Sequence, residues 1–167
     1  LATQHLLEHG AAKLALLSIS ENAAKRRLPD GGTGLVQQFQ AGVRDALNEA
    51  GRSSRALKTI YDNADHTDED LRRALEGGVD GIICLGDNRA ARVYRVAEDL
   101  GREVGKDLLV IGYYNTPWCA ALAPALTSIS IQEERLAARA AQAVKENWEA
   151  ERVWIAPVVV ERESTKG

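Results

Sequence analysis

Residues 78–118 read GVDGIICLGDNRAARVYRVAEDLGREVGKDLLVIGYYNTPW, and the periodicity of this stretch decides the fold. Gly81 to Leu85 (GIICL) is a short apolar run of the length of a buried strand, and Leu108 to Ile111 (LLVI) is another. Between them, Asn88 to Leu100 has the spacing of a helix. Two strands separated by a helix of this length make a βαβ unit, and such units build a parallel sheet. Both strands are continuous hydrophobic runs rather than alternating ones, as expected where helices cover both faces of the sheet.

The same rhythm continues in both directions. Upstream, Leu1 to His9 reads as a helix stopped by Gly10, and Lys13 to Ser18 (KLALLS) as a strand. Residues 20–34 read as a loop, broken by Pro29, Asp30, Gly31, Gly32 and Gly34. Leu35 to Ala50 is a helix ended by Gly51, and Arg55 to Tyr61 a strand. Thr67 with Asp70 resembles a capping box opening a helix that runs to Glu76, where Gly77 and Gly78 stop it. Downstream, beyond Pro117 and Pro124, Thr127 to Ile131 forms a short strand, Gln132 to Trp148 an alanine-rich helix and Val153 to Val160 a last strand. The expected fold is α/β with a doubly wound parallel sheet. Ligands of such sheets bind beyond the carboxyl ends of the strands. That rule selects Ser18 to Ser20, Tyr61 to Asn63, Gly86 to Asn88 and Gly112 to Asn115.

Composition narrows the function. With 45% hydrophobic and 27% charged residues the chain is an ordinary globular domain rather than a disordered one. Its formal net charge is −3 and its Lys and Arg are scattered, so direct contact with nucleic acid or an anionic membrane is not expected. The apolar runs are far too short to span a bilayer. Cys84 lies in an apolar run, and it and Cys119 have no metal-ligand spacing, which fits a reduced, cytoplasmic setting. No secretory signal peptide opens the sequence. The chain holds no methionine and opens inside a helical pattern, so it is read as part of a longer protein.

Four segments taken in order resemble the LacI/GalR repressor family. ATQHLLEHGAAKLALLS (2–18) resembles its helix, glycine turn and strand, and FQAGVRDALNEAG (39–51) its glycine–aromatic helix. Residues 78–118 resemble its longest recognisable block, ending at a glycine–tyrosine loop. APALTSISI (123–131), EERLAARAA (133–141) and PVVVERESTKG (157–167) resemble its closing section. The resemblance implies a periplasmic-binding-protein-like fold of type I, represented mainly by one lobe, with the DNA-binding helix-turn-helix absent from this chain. It further implies that 1–126 and 153–167 form the C-terminal subdomain, while 127–152 is a crossover segment of the other subdomain. Periplasmic solute-binding proteins of transporters share the fold and are the rival reading. The Arg162 to Thr165 ending and the lack of an export signal favour the repressors.

By the same resemblance, effector contacts fall on Ser20, Phe39, Tyr61, Asp87, Tyr114 and Asn115. Phe39 stands where the family often has a sugar-binding arginine, Gly86 where it has an asparagine and Tyr114 where it has an aspartate. Losing Arg and Asp anchors and gaining flat rings suits a less polar or aromatic ligand, or a sugar held mainly by stacking, rather than a typical free hexose. Ala91, Tyr94, Arg95, Trp118 and Leu122 fall where the family forms its homodimer. The implied partners are a small-molecule effector and, through the missing N-terminal domain, operator DNA.

No catalytic apparatus is legible. Asp30 to Gly34 (DGGTG) lacks the Lys-Ser/Thr pair of a P-loop and the spaced glycines of a dinucleotide site. The acidic cluster Asp62, Asp65, His66, Asp68, Glu69 and Asp70 lacks EF-hand spacing. His5 and His9 sit one helical turn apart without a zincin glutamate between them, and the sequence shows no third ligand. No Ser or Cys sits in a nucleophile elbow. No enzyme activity, metal or cofactor is expected.

Overall fold

A computed structural model describes residues 1–25, 34–63, 66–146, 148 and 153–166 of the chain. Among them, six strands form one sheet: β1 (Leu14–Ser18), β2 (Lys58–Tyr61), β3 (Gly81–Cys84), β4 (Leu109–Tyr113), β5 (Thr127–Ser130) and β6 (Val158–Val160). Their spatial order is β2-β1-β3-β4-β5-β6. The first five are parallel, and β6 closes one edge antiparallel to β5. The helices are α1 (Ala2–Glu8), α2 (Glu21–Ala24), α3 (Leu35–Glu49), α4 (Thr67–Glu76), α5 (Ala90–Asp99), α6 (Trp118–Ala121) and α7 (Glu133–Lys145). Among the described residues no helix is long and apolar enough to cross a membrane.

The apolar strand runs make two cores. Leu14 and Leu16 of β1, Ile83 of β3, and Leu109 and Ile111 of β4 meet Leu6 of α1 and Val43 and Leu47 of α3 on one face. Ala15, Leu17, Ile82, Cys84 and Val110 meet Leu71 and Leu75 of α4 and Val93 and Val96 of α5 on the other. Successive strand side chains point to opposite faces. A strand buried on both sides therefore shows no polar alternation, which is the pattern of GIICL and LLVI. Each fully buried Leu or Ile stabilises the fold by about 1.5–3 kcal/mol.

The elements differ from the sequence expectation mainly at their ends. The strand expected over Arg55 to Tyr61 begins only at Lys58, because Ser54–Ala56 forms a single 3-10 turn. Thr67 is the first residue of α4 rather than its cap: its hydroxyl donates backwards to the carbonyls of Asn63 and Tyr61, and no capping box forms. Part of the loop expected over 20–34 is helical, since the Ser20 hydroxyl accepts from Ala23 N and starts α2. Residues 26–33, including Asp30 to Thr33, lie outside the described residues, as does Asp65. Val153 to Pro157 has no strand pairing, which leaves β6 with three residues. Thr127–Ser130, placed by the sequence reading in the crossover segment, is a buried strand of this sheet paired with β4.

The chain's closing turn fastens this edge. Ser164 Oγ donates to Val110 O at 2.6 Å and accepts from Thr127 N at 2.8 Å. Arg162 Nη1 donates to Leu126 O at 2.8 Å. Gly105 makes room for this turn: it has φ +90°, and a Cβ there would lie 2.6 Å from Glu163 O. Left-handed strain of about 1–2 kcal/mol and overpacking of about 1–3 kcal/mol make Gly105→Ala destabilising by about 2–4 kcal/mol. Gly51 has φ +69° but open space around it, so Gly51→Ala bears the strain alone. Chemical denaturation of the two variants should show Gly105→Ala clearly the less stable; equal losses would remove the close approach as the cause.

Candidate functional site

From β1 the chain runs outward to β2 and then crosses back over β1 to β3. The crevice between the carboxyl ends of β1 and β3 is therefore the switch point of the sheet, where strand ends splay and leave room for a ligand. A cavity of about 380 Å³ opens there, lined by Ile19 after β1, by Leu85 to Arg89 after β3, by Tyr114 and Thr116 after β4, and by Leu35 and Trp118. A second hollow of about 640 Å³ adjoins it across Tyr114, lined also by Asn115, Pro117, Ser130 and Gln132 to Arg135.

One buried carboxylate holds the rim together. Asp87 is 1% exposed. Its Oδ2 accepts from Thr116 N at 2.7 Å and from the Thr116 hydroxyl at 2.9 Å, and its Oδ1 accepts from the Ser128 hydroxyl at 2.6 Å. Bonds of this kind, donated to an ionised acceptor, are the strong ones. They tie the turn after β3 to the loop after β4 and to β5. Gly112 is required beneath them, since a Cβ there would lie 2.1 Å from Asp87 Oδ1.

The loop so held is unusual. Tyr114 and Asn115 both have left-handed backbones, at φ 98° and 54°. Such residues persist only where their surroundings over-determine them. Tyr114 N donates to Ile129 O at 2.8 Å, Asn115 N donates to Ser128 Oγ at 3.0 Å, and Asn115 Oδ1 accepts from Arg162 Nη2 at 2.8 Å. The turn presents the Tyr114 ring, 38% exposed, over the cavity and against Tyr113 at 4.5 Å between centroids. Trp118, 51% exposed, stands on the same cavity.

Cationic groups border the rim. Arg89 Nη1 donates to Leu85 O at 2.8 Å, and its Nε lies 3.2 Å from Asp62 Oδ2. Arg92 stands 3.6 Å from both Asp62 and Asp68, and Arg95 pairs closely with Asp68. The acidic cluster read from the sequence is thus partly an ion-pair ladder between the start of α4 and α5. The thiols are chemically quiet: burial pushes Cys119 up to about 11 and Cys84 higher still, so neither is a nucleophile at neutral pH.

The family model described as periplasmic binding protein-like domain matches residues 3–165. The chain belongs to this family. Two curated relatives match. Catabolite control protein A of Staphylococcus epidermidis is 29% identical over 130 residues, a match that covers 77% of this chain and 36% of that protein's length. The ribose operon repressor of Halalkalibacterium halodurans is 29% identical over 178 residues, covering 100% of this chain and 49% of its own. The chain thus spans about half or less of the curated relatives it matches. Among solved structures, a LacI family transcriptional regulator from Enterococcus faecium with bound ribose superposes with TM-score 0.73 at 24% identity, over 99% of this chain and 60% of that one.

In this periplasmic-binding-protein-like domain the six expected effector positions do not share one cavity. Asp87 and Tyr114 line the cavity at the switch point, and Asn115 lines the adjoining hollow. Phe39 is half-buried, set edge-on to Tyr113 at 4.8 Å, and lines a separate hollow of about 430 Å³ beside α1. Tyr61 packs with Ile19 and Phe39 around Val36 and Leu85, and Ser20 caps α2. Asp87 does not cap the helix after it, because its carboxylate turns toward Thr116 and Ser128. Of the expected dimer positions, Tyr94 donates its hydroxyl to Pro124 O at 2.9 Å, Arg95 is paired with Asp68, and Leu122 packs on the core. Ala91 is half-buried and Trp118 lines the cavity. Sequence reasoning missed Arg89, Thr116 and Ser128. The strand-end rule stops one residue short of each of the first two, and nothing local marks Ser128 as the partner of Asp87.

Asp87→Asn puts an NH₂ where one carboxylate oxygen accepts a bond, leaving a buried donor facing a donor. The expected loss is about 1–3 kcal/mol, read as a lower denaturation midpoint at unchanged cooperativity. Stability equal to wild type would show that these three bonds do not hold the rim.

Proposed function

We propose that this domain is the effector-sensing part of a LacI-type transcription regulator, binding a small sugar or a less polar metabolite. The observation that carries the reading is the open cavity at the switch point, with two aromatic faces, Tyr114 and Trp118, and with Asn88 and Arg89 on its border. A sugar offers apolar ring faces and a rim of hydroxyls. Aromatic side chains pack on the former, and amide and guanidinium groups donate to the latter. A relative named as a ribose operon repressor, and a LacI family regulator of the same fold with bound ribose, support a regulator over a solute-binding protein of a transporter. The reading assigns binding and no reaction to the rim, with no cofactor, and places the protein in the cytoplasm.

A second lobe completes the site in this proposal. α7 buries none of its residues, and Leu136 and Val144 are 39% and 80% exposed. An amphipathic helix without a buried stripe is made to be covered, so α7 is assigned to the other subdomain, as the crossover. The regulator acts as a homodimer, with Ala91 and Arg95 of α5 at the dimer face and Trp118 given to the ligand. Operator DNA is read by a separate N-terminal domain. Ligand shifts the equilibrium between lobe arrangements by binding one of them more tightly, and that difference sets DNA affinity.

Calorimetry on the full-length protein with ribose, other pentoses, hexoses and aromatic metabolites tests this. One class should bind, with Tyr114→Ala and Trp118→Ala each weakening it about tenfold, the worth of one stacked ring at about 1.4 kcal/mol. Binding by none of these compounds, or binding indifferent to both variants, would overturn the assignment of this cavity.

A further inference from the structure

Away from the rim, where α1 meets the segment after β6, three side chains converge that the proposed function does not use. One nitrogen each of His5 and His9 and a carboxylate oxygen of Glu161 lie within 4.8 Å of one another. His5 and His9 are four residues apart, so their rings stand on the same side of the helix, with centroids 4.1 Å apart and planes tilted by 38°. The sequence offers this pair no third ligand; the fold supplies it from 152 residues further along the chain.

The hydrogen bonds determine where each imidazole carries its lone pair. His9 Nδ1 lies 2.8 Å from His5 O, and a carbonyl can only accept, so Nδ1 holds the proton and Nε2 is the open nitrogen. That Nε2 faces Glu161 Oε2 at 3.9 Å. His5 Nε2 lies 2.8 Å from the Thr165 hydroxyl, which lies 2.8 Å from Thr127 Oγ1. Thr127 Oγ1 donates to Arg162 O at 3.0 Å, so Thr165 donates to Thr127 and accepts from His5. Nε2 of His5 therefore carries its proton and Nδ1 the lone pair. A ring N–H anchored on a carbonyl or hydroxyl, with the other nitrogen free, is the arrangement that orients histidines as metal ligands.

We propose that His5, His9 and Glu161 bind a zinc(II) ion that staples α1 to the segment following β6. Two imidazoles and one carboxylate are borderline donors of the kind zinc accepts, and a water completes a tetrahedron. Zinc at about 2.0–2.1 Å from each ligand needs the donors about 3.3 Å apart. Glu161 is exposed and closes that gap by a change of rotamer. Its other oxygen faces Lys166 Nζ at 3.6 Å, an ion pair that the metal displaces. The bound ion cross-links the start of the domain to the strand that returns from α7.

Calorimetric titration of the intact, untagged protein with zinc chloride should show one saturable site that weakens at least tenfold in His9→Gln and in Glu161→Gln. Both changes are at exposed positions and leave the Thr165 bond of His5 intact. His66, the remaining histidine of the chain, is far from the cluster in sequence, and His66→Gln should bind as wild type does. Cobalt(II) in place of zinc should give the strong visible absorption of a four-coordinate site, reduced in the same two variants. Absence of saturable binding, or binding unchanged in both His9→Gln and Glu161→Gln, would overturn the proposal.

Discussion

The acceptance of three hydrogen bonds by one buried carboxylate organises this domain's working edge. A charge at 1% exposure is costly unless its oxygens are satisfied, and Asp87 is satisfied by groups from other elements, Thr116 after β4 and Ser128 of β5 among them. Thr116 must therefore come back over the strand ends, which forces Tyr114 and Asn115 into left-handed backbone and turns the Tyr114 ring into the cavity. Ser128 must sit at the middle of β5, in register with Gly112, which has no Cβ because the carboxylate occupies that space. Sheet order, loop conformation and cavity lining all meet at this residue.

The same logic separates what the sequence reveals from what it hides. The two-faced burial of β1, β3 and β4 leaves continuous apolar runs, and the helices between them are bounded by glycines, so the doubly wound architecture is legible residue by residue. The strand-end rule reaches Asp87, Tyr114 and Asn115 because it depends on topology alone. It cannot say which way a side chain turns. Asp87 reads in the sequence as an effector contact, and only the position of Ser128, 41 residues later, decides that its carboxylate faces the sheet. Phe39 reads as a replacement for a ligand-binding residue, yet its ring rests on Tyr113 beside α1. Thr67 and Asp70 fit a capping pattern, but the Thr67 hydroxyl finds carbonyls at the end of β2 first.

Long-range partners account for the remainder. The Arg162 to Thr165 segment reads in the sequence as a family-like ending with no stated structural part, while in the fold Ser164 and Thr165 are fully buried and bridge β4, β5 and α1 through hydroxyl bonds. That closure brings Glu161 to the histidine pair of α1. α7 is the converse case: its apolar stripe promises a core position, and the sheet has none to give it.

Hydrogen–deuterium exchange of the full-length protein, with and without the sugar or metabolite that it binds, probes the central claim most directly. If the Asp87-bound rim is half of a ligand cleft, amides of residues 85–89 and 114–118 gain protection together on ligand addition, as one unit. Saturating ligand that leaves both segments unchanged while protecting another part of the domain would contradict the account.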